Sequence, residues 1–442
     1  MVKLRPPSHV KSIAMPVFGL DWFGASASSS TTSTSITSGK SVVAYCGGGG
    51  SAKTGVNNKI ILVVDKEEIT ISTGEQVCVA IKLFVQHMHP TDPTKLWLLG
   101  AIGNDVVRYG LPDCTEEGRV EVGGGCNVLA VHAMGEVFAV GCEDGLVHVY
   151  NMAIAMEGNN SPWQKLFQCS GHEKAICSVQ FANRSSLLVS SAKDGTCRVW
   201  TQGGDCVAVL TCDVTDPKVP PPKIKPKRPV QVLVRGCAFG DLEGKVVYTI
   251  ASGRKGTAFL TRWVSTPNTN NYNVDLRTAI YPVPICAVSL STDASLLVLG
   301  GIDGTILLFD VRSWKVQRQF KELHELPLTC VAARPYETPL QGDGPVPMHA
   351  ISASMDSQMG MLTLITKVPR STTVSESKNA QDSFTIFPST FMSIVWFFLI
   401  YFFYTIGTET FLLCRGELSL ECLHHTVLIA PANRPGISTP PY

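Results

Sequence analysis

The feature that most restricts the fold is a pattern that recurs along the chain: an apolar stretch, an Asp-Gly pair and a second apolar stretch. The three pairs are Asp144-Gly145, Asp194-Gly195 and Asp303-Gly304. Asp-Gly between alternating apolar residues is a strong signal for a β-hairpin. The first two pairs lie 50 residues apart, a spacing typical of propeller blades that each contain four short strands. The repeats therefore predict an all-β fold built from such blades.

The second of these repeats carries a further set of polar and aromatic residues. Gly171-His172 opens it and Trp200 closes its third predicted strand. In this respect it resembles the WD-repeat pattern, and the resemblance implies that the His, the turn Asp and the Trp form a structural hydrogen-bond set. We therefore interpret His172, Ser190 and Asp194 as scaffold rather than as a catalytic triad.

Clusters of predicted strands indicate seven blades, and so a seven-bladed β-propeller over residues 1–370. The candidate blades lie near residues 17–72, 77–120, 126–153, 172–211, 230–265, 283–320 and 326–368. The seventh has Met355-Asp356 at its turn, without a following Gly. A closed ring is favoured because it removes the exposed sheet edges that an open array would leave.

Residues 383–408 contain no charged side chain, and the centre of this stretch is almost wholly apolar. About 20 helical residues cross the hydrocarbon core of a bilayer. The stretch therefore predicts one transmembrane α-helix over residues 384–407.

Cations on the two sides of that stretch predict its orientation. Lys367, Arg370 and Lys378 precede it, whereas Arg415 follows it. The positive-inside rule places the more basic side in the cytosol. The predicted domains are a cytosolic propeller over 1–370, a linker over 371–383, the helix over 384–407 and a short lumenal tail over 408–442.

Two segments interrupt the predicted propeller. Residues 25–41 are rich in Ser and Thr and are predicted to be a disordered insertion. Residues 217–229 form a basic, Pro-rich loop, which suits either contact with an acidic lipid or partner, or a solvated extended loop.

Lys and Arg total 37 against 36 Asp and Glu, so we expect no nucleic-acid partner. The 15 cysteines form no CxxC pair and no other spacing typical of metal-binding cysteines.

One motif stands apart from the blade scaffold. It consists of Gly47, Gly48, Gly49, Gly50, Ser51, Ala52, Lys53, Thr54, Gly55, Val56, Asn57 and Asn58. Consecutive glycines suit a backbone with positive φ or a very close approach to a partner. A phosphate-binding loop is disfavoured, because Ala52 replaces the second glycine of that motif and a strand, not a helix, follows it. A long hairpin loop without a function stays an alternative.

The same motif resembles the protruding loop of the prolactin regulatory element-binding protein family. Members of this family are endoplasmic-reticulum guanine-nucleotide exchange factors for the small GTPase that starts COPII coat assembly. The resemblance implies an atypical seven-bladed propeller in the cytosol, a single anchor in the endoplasmic-reticulum membrane and a short lumenal tail.

The resemblance also implies roles for individual residues and for a potassium ion. Gly47 to Gly50 would form the turn, Ser51 to Val56 the tip that touches the GTPase, and Asn58 the polar base. Potassium would stabilise the loop through Asn58, Gly50 and Gly55, mostly by backbone carbonyl oxygens. Such a protein promotes GDP release without bond chemistry and is not an enzyme in that sense.

A second function remains open beside nucleotide exchange. A propeller of this kind could serve as a non-catalytic trafficking scaffold that helps membrane cargo to leave the endoplasmic reticulum. The scaffold predicts stable cargo binding without an effect on nucleotide release. The sequence leaves the oligomeric state open.

Overall fold

The computed structural model describes eleven parts of the chain. They are residues 9–24, 41–50, 55–64, 67–87, 95–152, 163–215, 231–253, 256–266, 271–321, 323–335 and 348–363. All of them belong to the first of two units, Met1–Lys367, and the second unit is Val368–Tyr442. The predicted linker, transmembrane helix and lumenal tail lie outside the described residues. Within those residues no helix is long and apolar enough to span a bilayer.

Within the described residues, twenty-eight strands form seven four-stranded antiparallel sheets. The chain opens with β1 (His9–Ser12). Blade 1 contains β2 (Val17–Gly24), β3 (Ser41–Gly47), β4 (Asn58–Val64) and β5 (Glu67–Gly74). Blade 2 contains β6 (Cys78–Val85), β7 (Leu96–Ile102), β8 (Asp105–Gly110) and β9 (Thr115–Glu121). Blade 3 contains β10 (Cys126–Val131), β11 (Val137–Cys142), β12 (Val147–Asn151) and β13 (Gln164–Cys169).

The remaining blades follow in chain order. Blade 4 contains β14 (Ile176–Phe181), β15 (Leu188–Ala192), β16 (Thr196–Trp200) and β17 (Cys206–Thr211). Blade 5 contains β18 (Val232–Phe239), β19 (Val246–Gly253), β20 (Ala258–Ser265) and β21 (Tyr272–Tyr281). Blade 6 contains β22 (Ile285–Leu290), β23 (Leu296–Gly301), β24 (Ile306–Asp310) and β25 (Lys315–Phe320). Blade 7 contains β26 (Leu328–Ala333), β27 (Met348–Ser354) and β28 (Gln358–Thr363), with β1 as its fourth strand. The predicted all-β, seven-bladed propeller is confirmed.

The strand that closes the ring is the main feature that the sequence did not predict. In blade 7, β1 pairs antiparallel with β28, with Val10 opposite Gly360. The N-terminal strand thus completes the last blade and covers its outer edge, which an open sheet would expose. Directly after β1, the N–H of Ile13 donates to the carbonyl of Ser357 at 2.8 Å. The chain then continues into blade 1.

Burial explains which strands the sequence revealed. All seven residues of β7 are buried, because this strand lies inside its blade and is covered on both faces. All ten residues of the outer strand β21 are exposed or half-buried, so it lacks the continuous apolar stretch that marks an inner strand. Blade 5 therefore extends to Tyr281, beyond the expected limit near 265, and blade 3 likewise extends beyond 153 to Cys169.

Antiparallel pairing fixes which connections share a face of the ring. In each blade, the turn between the second and third strands lies at the same end as the link to the next blade. We call this end the loop face, because it carries the segment between β3 and β4. The other turns lie at the opposite face. There β28 ends at Thr363.

The hydrogen-bond set expected in blade 4 is present. His172 Nδ1 lies 2.8 Å from Asp194 Oδ2, and its Nε2 lies 2.9 Å from Ser190 Oγ. The indole N–H of Trp200 donates to the same Ser190 oxygen at 2.8 Å. These groups are satisfied by one another inside the blade, as a scaffold role requires.

Blade 7 repeats this arrangement where the sequence gave no Asp-Gly signal. His324 contacts Ser352 Oγ at 2.9 Å and Asp356 Oδ2 at 3.1 Å. Ser357 takes a positive φ of 60° at the turn position that Gly195 holds in blade 4. Serine adopts this left-handed backbone conformation at a higher conformational energy than glycine would.

The buried His324 predicts a pH dependence of stability. Burial lowers the pKa of this imidazole below its ordinary value of 6.5, against the opposing effect of Asp356. The folded state then binds fewer protons than the unfolded state, so stability falls as the pH drops below that ordinary value. We expect the melting temperature to be lower in mildly acidic than in neutral buffer.

Replacing the imidazole tests this origin. His324→Gln should lower the melting temperature at neutral pH but reduce its further fall on acidification. Part of the slope should survive, since burial also lowers the pKa of His132. An acid-induced fall as large in His324→Gln as in the wild type would contradict the assignment.

Candidate functional site

The glycine-rich motif lies between the second and third strands of blade 1, at the loop face. β3 ends at Gly47 and β4 begins at Asn58. The ends of the connection are described, whereas its centre, Ser51, Ala52, Lys53 and Thr54, lies outside the described residues. We call residues 48–57 the glycine loop.

The first two glycines are required by close packing within the ring. A Cβ on Gly47 would lie 1.8 Å from the carbonyl oxygen of Pro16. A Cβ on Gly48, whose φ is 144°, would lie 2.3 Å from Asn58 Oδ1. Any side chain at these positions would displace backbone. The lack of a side chain at Gly47 and Gly48 therefore lets the ends of the loop pack closely against Pro16 and Asn58.

Gly50 and Gly55 meet a different need. Gly50 and Gly55 have φ values of 70° and 77°, and a Cβ on either would have no neighbour within 4 Å. Gly50 is half-buried and Gly55 is exposed. Positive φ rather than crowding thus explains them. Asn57 is also exposed, so the described part of the loop runs from a buried base towards solvent.

Asn58 is the centre of the loop base. Its side chain is only 4% exposed, and its Oδ1 accepts the backbone N–H of Gly50 at 2.9 Å. Its Nδ2 lies 3.1 Å from the carbonyl oxygens of Gly50 and Gly74 and 3.0 Å from that of Glu75. One amide therefore ties the loop to the link between blades 1 and 2.

A register shift between Asn58 and Lys59 in the pairing of β4 with β5 accompanies this arrangement. Sequence reasoning identified Asn58 but neither Gly74 nor Glu75, since their carbonyl groups act through the backbone and leave no residue-type signal.

The loop is also fastened to the ring closure. The N–H of Gly48 donates to the carbonyl of Pro16 at 3.2 Å, and that of Gly49 donates to the carbonyl of Val56 at 3.2 Å. The Val56 side chain packs against the apolar cluster that joins blades 7 and 1 and contains Met15. The loop base therefore rests on the segment that follows β1.

The thiol before the loop has a structural role. Cys46 is fully buried, and its Sγ donates to the carbonyl of Cys78 in blade 2 at 3.1 Å. Burial raises the pKa of this thiol well above its ordinary value. A neutral, buried thiol is a poor nucleophile, so Cys46 contributes a contact between blades.

The oxygen atoms at the loop base are of the kind that binds an alkali cation, but the Asn58 amide group already satisfies them. Among the described residues, no group of three or more His, Cys, Asp or Glu side chains could hold a metal ion. The carbonyl oxygens of Gly50, Gly74 and Glu75 converge on one point, which Asn58 Nδ2 occupies. An amide nitrogen has two N–H groups for these three acceptors. Neutral oxygens of this kind replace the hydration shell of potassium in proteins. Gly55, the remaining predicted ligand, lies at the other end of the loop.

A cleft of about 360 Å³ borders the loop base on the side of blade 2. It is lined by Gln76, Ile102, Gly103, Asn104, Asp105 and Glu121. One of its carboxylates is already paired, since Arg119 Nη1 donates to Asp105 Oδ2 at 2.7 Å. The sequence did not single out these residues, which come together only when the turn of blade 2 meets the link from blade 1.

The two predicted insertions attach at opposite faces. Residues 25–40 and 217–229 lie outside the described residues, but their flanking residues are described. Gly24 and Ser41, which is the first residue of β3, lie at the opposite face. Thr215, which precedes the basic segment, follows the last strand of blade 4 and lies at the loop face. The Ser/Thr-rich insertion therefore shares blade 1 with the glycine loop but leaves it at the other end.

Comparisons with known proteins support the fold and its repeats. A sequence profile of the WD domain, G-beta repeat family matches residues 163–201, which include the hydrogen-bonded set of blade 4. The chain is 27% identical over 177 residues to the WD repeat-containing protein 91 homolog of Dictyostelium discoideum. That match covers 33% of this chain and 22% of the relative, so the chain spans about a fifth of the relative's length.

A solved structure extends the likeness to the whole ring. A chain in the crystal structure of a mitotic checkpoint complex superposes with a TM-score of 0.57. The match covers 82% of this chain and 94% of that chain at 14% sequence identity. Identity this low shows the fold alone.

Proposed function

We propose that this protein is a membrane-anchored guanine-nucleotide exchange factor that loads the small GTPase of the COPII coat with GTP at the endoplasmic reticulum. The observation that carries the proposal is the glycine loop. Its base is fixed by Asn58 and by the ring closure, and its described ends run towards solvent at the loop face. A loop fixed at its base loses little further entropy when it binds a partner.

Exchange by such a loop requires no bond chemistry. An exchange factor binds the nucleotide-free GTPase more tightly than the nucleotide-bound form, so factor and nucleotide weaken each other's binding by the same factor. Each tenfold increase in the rate of GDP release requires about 1.4 kcal/mol of barrier lowering. A well-packed loop can supply several such steps.

A potassium ion would bind at the loop base only in place of the Asn58 Nδ2 group, which already satisfies the carbonyl oxygens of Gly50, Gly74 and Glu75. The amide would have to turn over, so that Oδ1 leaves the Gly50 N–H and joins those carbonyl oxygens as a ligand, with Gly55 as the further predicted ligand. The ion would then supply the positive charge that the amide N–H groups supply in the present arrangement. The residues of this chain would still position the loop.

The proposed location depends on the predicted helix over residues 384–407. The last described strand, β28, ends at the face opposite the glycine loop. An anchor in the endoplasmic-reticulum membrane would let the GTPase receive GTP beside the bilayer on which the coat assembles.

The proposal is tested by measuring GDP release. The full-length protein in lipid vesicles should accelerate release of a fluorescent GDP analogue from the COPII GTPase, and the acceleration should grow with protein concentration. An unchanged release rate at every concentration would refute the exchange activity. Stable binding of membrane cargo together with that result would favour the scaffold function instead.

A further inference from the structure

Three large apolar side chains are exposed at the loop face. Ile302 is 40% exposed, Leu326 is 45% exposed and Met355 is 48% exposed. The other nine exposed large apolar side chains of the described residues lie on outer strands or at the opposite face. Single exposed apolar residues are ordinary on a protein surface, whereas a cluster of them marks a contact surface.

These three side chains belong to segments in mutual contact. Ile302 lies in the turn of blade 6, and a Cβ on Gly304 of that turn would lie 2.0 Å from the carbonyl oxygen of His324. His324 precedes Leu326 in the link from blade 6 to blade 7. The turn of blade 6 therefore touches the link that carries Leu326.

The link is joined in turn to the segment that carries Met355. The hydroxyl of Ser354 donates to the carbonyl of Leu326 at 3.1 Å. The backbone N–H of Glu325 donates to Asp356 Oδ2 at 3.0 Å. Leu326 and Met355 thus lie on neighbouring, hydrogen-bonded segments. We call Ile302, Leu326 and Met355 the apolar strip.

Backbone hydrogen bonds connect the strip to the glycine loop. Ser357, two residues after Met355, accepts the N–H of Ile13. Pro16, which lies three residues after Ile13, accepts the N–H of Gly48 through its carbonyl oxygen. The strip and the loop therefore lie on one continuous part of the loop face.

We propose that the apolar strip is a second contact surface for the GTPase that the glycine loop contacts, and that it takes an apolar patch with a basic rim. The inference rests on the proposed exchange function. Exposed carboxylates at Asp303 and Glu325 flank the strip and outnumber Lys321, an exposed cation of the same link. They would attract Lys and Arg side chains of a protein and would repel the anionic surface of a cytoplasmic leaflet. The occupant is therefore a protein surface and not a membrane.

This division of roles predicts different kinetic defects. The strip should contribute affinity that is equal in the nucleotide-bound and nucleotide-free complexes, whereas the loop should act on nucleotide release. Ile302→Ser and Met355→Ser should each raise the concentration of full-length protein needed for half-maximal GDP release by about tenfold, a change of about 1.4 kcal/mol. The release rate at saturation should stay within about twofold of wild type.

Val209→Ser and Val316→Ser are matched controls, because these valines are 50% and 39% exposed on outer strands. Melting temperatures should match across all four variants, since each site is solvent-exposed. Equal half-maximal concentrations in strip and control variants would overturn the proposal that the apolar strip contacts the GTPase, while leaving the exchange function intact. A lower rate of GDP release at saturating protein in the strip variants, or a change only in their self-association, would also overturn this proposal. Failure of wild-type protein to accelerate release would instead remove the exchange function itself.

Discussion

Asn58→Ala is expected to remove most of the acceleration of GDP release while the ring stays folded. The substitution deletes the acceptor of the Gly50 N–H and the donor to the carbonyls of Gly50, Gly74 and Glu75. Each buried polar group left without a partner costs about 1–3 kcal/mol. The fixed loop base should therefore give way to alternative loop conformations that do not act on the GTPase.

The expected size of the effect follows from that cost. A loop destabilised by about 1–3 kcal/mol should slow catalysed release by about 5- to 150-fold, since about 1.4 kcal/mol corresponds to a factor of ten. The measurement is the release rate at saturating protein, with the melting temperature as a check on folding. Asn127→Ala is a matched control, because Asn127 Nδ2 donates to the Ile176 carbonyl between blades 3 and 4, away from the loop. Equal rates in Asn58→Ala and Asn127→Ala would contradict the role of the loop.

Asn58→Asp distinguishes the role of the Asn58 amide group from that of the proposed potassium ion. A carboxylate keeps an acceptor for Gly50 N–H but turns a second oxygen towards three carbonyl oxygens, which repel it unless a cation lies between them. We expect this variant to retain exchange in potassium buffer and to lose it when a bulky organic cation replaces potassium. Activity that is equally low in both buffers would contradict a cation at this point.

The fold was largely predictable from the sequence because its inner strands carry strong local signals. Buried strands such as β7 are continuously apolar, and Asp-Gly pairs mark three of the turns. The outer strands β13 and β21 lack a continuous apolar stretch, so the limits of blades 3 and 5 were misplaced. Blade 7 lacked its turn glycine because Ser357 adopts the positive φ itself.

The candidate site was predictable only in part. The glycine run and Asn58 stood out because four consecutive glycines and a polar residue at a strand end are unusual. Their partners did not, since Pro16, Gly74 and Glu75 act through carbonyl groups that every residue possesses. Ile302, Leu326 and Met355 are distant in sequence from the loop, and only closure of the ring brings blade 7, which packs against blade 6, beside blade 1.

Removal of β1 is expected to have the largest effect on stability and to disable the glycine loop at the same time. A variant lacking residues 1–12 loses the pairing of Val10 with Gly360 and its neighbours, and the ion pair between Lys11 and Glu68. Backbone hydrogen bonds contribute about 1 kcal/mol each. A loss of about 3 kcal/mol should lower the melting temperature by roughly 5 °C.

The loop should fail for a separate reason. Without β1, no strand precedes the Ile13–Pro16 segment to hold Pro16 against Gly48. The hydrogen bond from the Gly48 N–H to the Pro16 carbonyl should therefore weaken, and the loop base should become less well fixed. Catalysed GDP release should then fall even at temperatures where the ring is folded. Removal of residues 1–8 alone is the control, because β1 begins at His9, and this variant should match the wild type in both measurements. The unpaired edge of β28 should also promote self-association of the 1–12 deletion, because an open sheet edge pairs with other chains. If the two deletions gave the same melting temperature and release rate, the coupling between ring closure and the loop would have to be abandoned.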